Sequence, residues 1–129
     1  MALDQNLMGL GMPPRLATRL ANGGTGPVSL AASANPGPTI RGTQFVVFVN
    51  SGSGWVTLPA IGGSDNAPEL ADDFIIHNGL ATSVTVGIPT GATVNFGGAV
   101  GLTGNFTLTT GQTANLWVAN TTQWFGIKN

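Results

Sequence analysis

The sequence predicts an all-β fold, an antiparallel β-sandwich or jelly-roll-like barrel, preceded by an extended N-terminal arm with a short helix. Three observations carry this expectation. Runs rich in Val, Ile, Phe and Thr recur about every ten residues from residue 44 onward, the spacing of strands in a sandwich or barrel. Two runs alternate: Val84, Val86 and Ile88 around Thr85 and Gly87, and Phe106 and Leu108 between Asn105, Thr107 and Thr109. A period of two marks strands with one buried face. Turn-forming pairs punctuate the runs, at residues 51–54, Asn78-Gly79, Thr90-Gly91, Gly97-Gly98, Thr110-Gly111 and Asn120-Thr121.

The expected strands cover residues 44–49, 54–58, 73–77, 83–88, 92–96, 105–109, 113–119 and 123–127. Phe45-Val46-Val47-Phe48-Val49 and Phe74-Ile75-Ile76 do not alternate, so both should be covered on two faces, in the core or at a subunit contact. Asn78-Gly79 is the strongest turn signal, because a type I′ hairpin turn needs positive φ at both central residues. A weak repeat relates Thr90-Gly91-x-Thr93-x-Asn95-Phe96 to Thr110-Gly111-x-Thr113-x-Asn115-Leu116, and suggests two hairpins of similar geometry.

Charge divides the chain near Arg41. Residues 1–41 hold Arg15, Arg19 and Arg41 against Asp4, a net of +2; residues 42–129 hold Lys128 against Asp65, Glu69, Asp72 and Asp73, a net of −3. Residues 1–41 are therefore read as an arm and a Gly/Pro-rich linker, and residues 42–129 as the β-domain. Within the arm, Leu7, Met8, Leu10 and Met12 alternate with Gly9 and Gly11, which oppose a helix. Pro13-Pro14 can open a short helix that sets Leu16 and Leu20 on one face and Arg15 and Arg19 beside it, with Gly23 and Gly24 as its end. Two helical turns are unstable alone, so the segment needs a surface, its own domain's or a partner's. Asn35-Pro36-Gly37-Pro38 reads as a turn or linker, and residues 27–32 as a short strand at a sheet edge.

Composition narrows the function classes. Charged residues make up 7% of the chain, against a usual share of about 25%. The formal net charge is −1, which gives no global field to draw in nucleic acid or an anionic membrane, and three scattered Arg form no basic stripe. There is no Cys, no Tyr and one His, which removes cysteine chemistry and most of the acid–base inventory. No secretory signal is expected at Met1-Ala2-Leu3-Asp4, and the longest apolar run, Phe45 to Val49, is far short of a membrane span. The two glycosylation sequons, at Asn105 and Asn120, are read as chance matches in a chain rich in Thr and Asn.

Four acids, Asp65, Glu69, Asp72 and Asp73, fall within nine residues. Dense carboxylates can hold Ca²⁺, but the spacing is not that of an EF-hand, and a solvated acidic loop is the simpler reading. His77 stands at a strand end with no Gly-x-Ser-x-Gly elbow in the chain to supply a nucleophile, so it is read as structural. Trp117, inside Leu116-Trp117-Val118, is expected to be buried. Trp55 and Trp124 are the candidates for a glycan or subunit contact, unless they too fill the core. No catalytic residue, cofactor or metal ligand is assigned.

The segments Val56-Thr57-Leu58-Pro59-Ala60, Asp72-Asp73-Phe74-Ile75-Ile76-His77-Asn78-Gly79, Val84-Thr85-Val86, Thr93-Val94-Asn95-Phe96-Gly97-Gly98, Leu108-Thr109-Thr110-Gly111-Gln112 and Gln123-Trp124 resemble small virion proteins of tailed bacteriophages. Asn6-Leu7-Met8-Gly9-Leu10-Gly11-Met12-Pro13 is similar to phage structural proteins as well. The resemblance spans roughly residues 1–20 and 56–127 and rests mostly on turn and core positions. It implies a non-enzymatic virion component made in the host bacterial cytoplasm, most simply a capsid decoration or cement protein and a homotrimer. The major capsid protein or another virion protein would be its partner. Leu7, Met8, Leu10, Met12, Arg15, Leu16, Arg19 and Leu20 would then anchor it to the head. A head or tail fibre module and a carbohydrate-binding β-sandwich are the alternatives.

Overall fold

The chain alternates between two β-sheets, and that alternation fixes both the topology and the core. The structure, a computed structural model, describes residues 28–42, 45–62, 67–70, 72–97 and 102–129. Ten strands occur in order: β1 Val28–Ala32, β2 Val46–Gly52, β3 Gly54–Thr57, β4 Asp73–Asn78, β5 Val84–Gly87, β6 Thr93–Asn95, β7 Leu102–Thr103, β8 Phe106–Leu108, β9 Thr113–Asn120 and β10 Gln123–Lys128. The described residues contain no helix, and no helix long and apolar enough to cross a membrane. The expected arm helix at residues 13–22 lies outside the described residues, as do all eight proposed anchor residues.

A seven-stranded sheet has the order β1-β2-β4-β9-β10-β6-β7, and a three-stranded sheet the order β3-β5-β8. The all-β expectation holds, but the purely antiparallel one does not. The β1–β2, β2–β4, β3–β5 and β10–β6 pairs are parallel. Parallel neighbours need a long crossover between them. Between β2 and β4 a strand of the opposite sheet supplies it: the chain leaves the large sheet after β2, crosses the small sheet as β3, and returns as β4 running the same way. A jelly roll is built from antiparallel pairs alone, and these four pairs are not of that kind.

The two hairpins expected around Thr90-Gly91 and Thr110-Gly111 are crossings between sheets. Each is a tight turn, closed by Ala92 N–H to Pro89 O at 3.0 Å and by Gln112 N–H to Thr109 O at 3.0 Å. The third residue of each turn has positive φ, 85° at Gly91 and 74° at Gly111, as a type II turn requires. One turn carries β5 into β6 and the other β8 into β9, each from the small sheet to the large one. Asn78-Gly79 is not a hairpin turn either. Asn78 ends β4, Gly79 extends the pairing by donating to Val49 O at 2.9 Å, and β5 lies in the other sheet.

The division of the chain at Arg41 also shifts. β1 pairs with β2 along its whole length, and Ala32 and Ile40 are buried in the shared core. The segment expected to be a linker runs beside β3, with Ser33 bridged to Trp55 and Thr39 to Thr57. Ile40 N–H donates to Thr57 O at 2.8 Å. The β-domain therefore reaches back at least to Val28. One core holds both sheets together: Val47, Val49, Phe74, Ile76, Leu116 and Trp124 from the large sheet meet Val56, Val84, Val86, Phe106 and Leu108 from the small one.

Candidate functional site

The outer face of the seven-stranded sheet carries exposed aromatic and aliphatic side chains. Strand registers place its side chains in rows. Phe48 pairs with His77 and His77 with Thr113. Val46 pairs with Ile75, Ile75 with Asn115 and Asn115 with Ile127. Asp73 pairs with Trp117, Trp117 with Phe125 and Phe125 with Asn95. Alternation along each strand puts these residues opposite Val47, Phe74, Ile76, Leu116 and Trp124, which face the core.

This outward set is unusually apolar for a solvent-facing sheet. Phe48 is 41% exposed, Phe125 38% and Ile127 64%. Ile75, His77 and Trp117 are half-buried by their neighbours alone. Phe48 meets the His77 ring edge-on at 5.7 Å between centroids, and Trp117 meets Phe125 at 6.3 Å with the planes at 83°. Both are the edge-to-face geometries that aromatic quadrupoles favour. Beside the second pair lies a shallow cleft of about 260 Å³, lined by Asn95, Phe96, Gly97, Trp117, Phe125 and Gly126. His77 Nδ1 shares a 2.7 Å hydrogen bond with Thr113 Oγ1, which fixes the imidazole across β4 and β9. His77 thus links β4 to β9 through its side chain as well as through the backbone register.

The tryptophans exchange roles relative to the sequence expectation. Trp124 has no exposed surface; it packs edge-on against Phe74 at 5.3 Å in the core and presents nothing to a glycan or a second subunit. Trp117, expected inside, stands half-buried on the outer face. Trp55 is half-buried on the opposite side of the molecule, in a row with Thr85 and Thr107 on the outer face of the small sheet.

The acidic segment is built as a turn. Asp72 is buried, and one of its carboxylate oxygens accepts the Glu69 N–H at 3.0 Å while its own N–H donates to Glu69 O at 2.9 Å. Its carbonyl then accepts the Val118 N–H at 2.9 Å, tying the turn to β9. Asp73 points outward from β4, and Asp65 lies outside the described residues. Among the described residues no three His, Asp or Glu side chains converge to hold a metal ion. A second depression of about 390 Å³ lies against this turn, between Ile61, Pro68 and Leu70 on one side and Val118 and Thr121 on the other.

Sequence reasoning missed Phe125 and Ile127 as surface residues, and Trp117 with them. The signal that pointed to this face was the failure of residues 45–49 and 74–76 to alternate, which marks strands with apolar side chains on both sides. Comparison of the chain with protein-family models, with curated proteins and with solved structures finds no match.

Proposed function

We propose that the chain is a non-enzymatic virion structural protein of a tailed bacteriophage, a capsid decoration or cement protein that binds the assembled head through its N-terminal arm and stabilises it. The observation that supports this most is the apolar outer face of the large sheet. A patch carrying Phe48, Ile75, Trp117, Phe125 and Ile127, on a chain with so few charges, is a liability for an isolated monomer and an asset for a subunit of an assembly. The two sheets around one core are read here as a β-sandwich of mixed strand direction. The major capsid protein, or another virion protein, is the partner, and the protein assembles as a homotrimer after synthesis in the host bacterial cytoplasm.

In this reading Leu7, Met8, Leu10, Met12, Leu16 and Leu20 supply apolar contact with the capsid, while Arg15 and Arg19 meet its acidic groups. The test is binding of the full chain to heads that lack it, followed by sedimentation. Leu16→Asp with Leu20→Asp is expected to lower occupancy at least tenfold while the β-domain still melts cooperatively. Undiminished occupancy would overturn the anchor, and failure of the wild-type chain to bind heads would overturn the decoration role. A head or tail fibre module would instead co-sediment with tails or with host envelopes.

Carbohydrate binding is the second reading, and a specific arrangement favours it. Trp55 stands with Thr85 and Thr107 across three strands, an aromatic surface beside hydroxyls. Glycan binding lost on Trp55→Ala, with head binding absent, would favour this reading.

A further inference from the structure

We infer that the apolar depression between residues 61–70 and the β9–β10 turn is the docking site of this chain's own N-terminal arm, filled in the free protein by Leu16 and Leu20. The inference goes beyond the assembly reading above. It concerns the chain before it meets any partner, and it holds whether or not the arm later engages a head.

Strand direction brings the arm to the right end of the molecule. β1 runs parallel to β2 and β2 parallel to β4, so the chain enters β1 from the end of the sheet at which β4 begins. β9 is antiparallel to β4 and finishes at that end, where Asp72 O accepts the Val118 N–H. The depression, with Ile61, Pro68 and Leu70 facing Val118 and Thr121, lies there. The length of chain ahead of β1 also suffices. Val28 aligns through Val47 and Ile76 with Ala114, three strands across and four residues short of Val118. At about 4.8 Å per strand and 3.3 Å per residue, the separation is roughly 20 Å. The eight steps from Leu20 to Val28 span up to about 26 Å when extended.

The chemistry of the two partners matches. Leu70, at 72% exposure, is the most exposed large apolar side chain among the described residues, and it forms part of the depression. Glu69 lines it as well, with Asp72 and Asp73 close behind in the chain, so three of the five acids border an apolar floor. The arm offers the complement: Leu16 and Leu20 on one face, with Arg15 and Arg19 beside them. The leucines bury against the floor, while the arginines favour the acidic side and set the orientation, since exposed ion pairs add little affinity. Docking also gives a two-turn helix the surface that it needs. The occupant is the chain's own arm and not a neighbour's, because a short tether holds its end at an effective concentration of order mM, well above the protein's own.

The test uses the full-length chain, which has no Cys, so introduced pairs report without background. In Leu20→Cys with Leu70→Cys, oxidation at about 1 μM should close a disulfide within one chain roughly tenfold faster than in Leu20→Cys with Thr107→Cys. Thr107 is exposed on the outer face of the small sheet and serves as the control. Hydroxyl-radical footprinting reads the same contact at equilibrium. Labelling of Leu70 should rise several-fold in Leu16→Asp with Leu20→Asp, while the β-domain still melts cooperatively. Equal closure rates for the two pairs, or a disulfide that forms only between chains, would overturn the inference. So would equal labelling of Leu70 in the wild-type chain and the Leu16→Asp, Leu20→Asp variant. Head binding separates this inference from the decoration role. A chain that closes the Leu20–Leu70 pair as expected but ignores heads removes the decoration role and leaves the docking. A chain that decorates heads while both pairs close at equal rates removes the docking and leaves the decoration role.

Discussion

Asn78 in β4 reaches across to Leu108 in β8, its Nδ2 donating to the Leu108 carbonyl at 2.9 Å, and so joins the large sheet to the small one. The same nitrogen donates to Thr82 O at 2.9 Å, and Oδ1 accepts the Leu80 N–H at 2.9 Å. The side chain has no exposed surface, so it is a buried polar group whose hydrogen-bonding groups are all used. Its backbone closes the arrangement, donating to Gln112 O and accepting from Gly111 N–H.

Replacing Asn78 therefore strands the Leu108 carbonyl on the small sheet and the Leu80 N–H and Thr82 carbonyl of the β4–β5 connection. Asn78→Leu should destabilise the domain by about 3 kcal/mol, since each buried group left unpaired costs roughly 1–3 kcal/mol. Chemical denaturation monitored by circular dichroism reads this directly. A change below about 1 kcal/mol would show that water replaces the amide and that the bridge between sheets is dispensable.

Gly52 and Gly111 both have positive φ, 72° and 74°, yet they should respond differently to the same substitution. At Gly111 an added Cβ would meet nothing within 4 Å, so Gly111→Ala carries only the left-handed penalty of about 1–2 kcal/mol. At Gly52 the Cβ would collide with the Ala32 carbonyl oxygen, part of the backbone that pairs β1 with β2. Gly52→Ala should cost at least about 3 kcal/mol, or release β1 from the sheet edge. Hydrogen exchange at Leu30 and Ala32 distinguishes the two outcomes. Equal melting temperatures for the two variants would contradict the close approach.

Much of this fold is legible in the chain, and the exceptions share a cause. The turns at Gly91 and Gly111 are local, so the sequence locates them; what they connect depends on which sheet each strand joins, and that is decided by distant partners. The β2–β4 parallel pair is invisible for the same reason, since 20 residues and an intervening strand separate its members. Residues 35–38 carry the turn chemistry of a linker, but Ile40 just beyond them is drawn into the core. For the candidate site, the difficulty is parity. A slip of one residue exchanges the faces of a strand. Leu116-Trp117-Val118 and Trp124-Phe125 are apolar at consecutive positions, so no polar neighbour marks which side chain points inward. The register with β4 decides it, sending Trp117 and Phe125 out and Trp124 in.

That parity has a spectroscopic consequence. In chains keeping one tryptophan, the others replaced by Phe, Trp124 should emit at the shortest wavelength and resist acrylamide, with a quenching constant several-fold below those of Trp55 and Trp117. Trp124 is fully enclosed against Phe74, whereas the other two keep part of their rings at the surface. Trp124→Ala should cost about 3–5 kcal/mol, the usual range for emptying a large aromatic site. If Trp117 proves the better shielded of the two in the monomer, the register of β9 is wrong by one residue.

The acidic turn yields the last prediction. Asp72 accepts the Glu69 N–H and its own backbone binds both Glu69 and Val118, so its carboxylate serves the entry to β4. Asp72→Asn retains an acceptor oxygen in the same place and should lower stability by less than about 1 kcal/mol, while Asp72→Ala leaves the Glu69 N–H without its partner and should cost about 1–2 kcal/mol. A ligand that binds only the folded chain raises stability by about 2.7 kcal/mol at a hundred times its dissociation constant. Millimolar Ca²⁺ should therefore leave the melting temperature where EDTA leaves it, if the turn is held by hydrogen bonds and not by a cation. A rise of several degrees with Ca²⁺, abolished by Asp72→Asn, would show instead that Glu69, Asp72 and their acidic neighbours close around a metal.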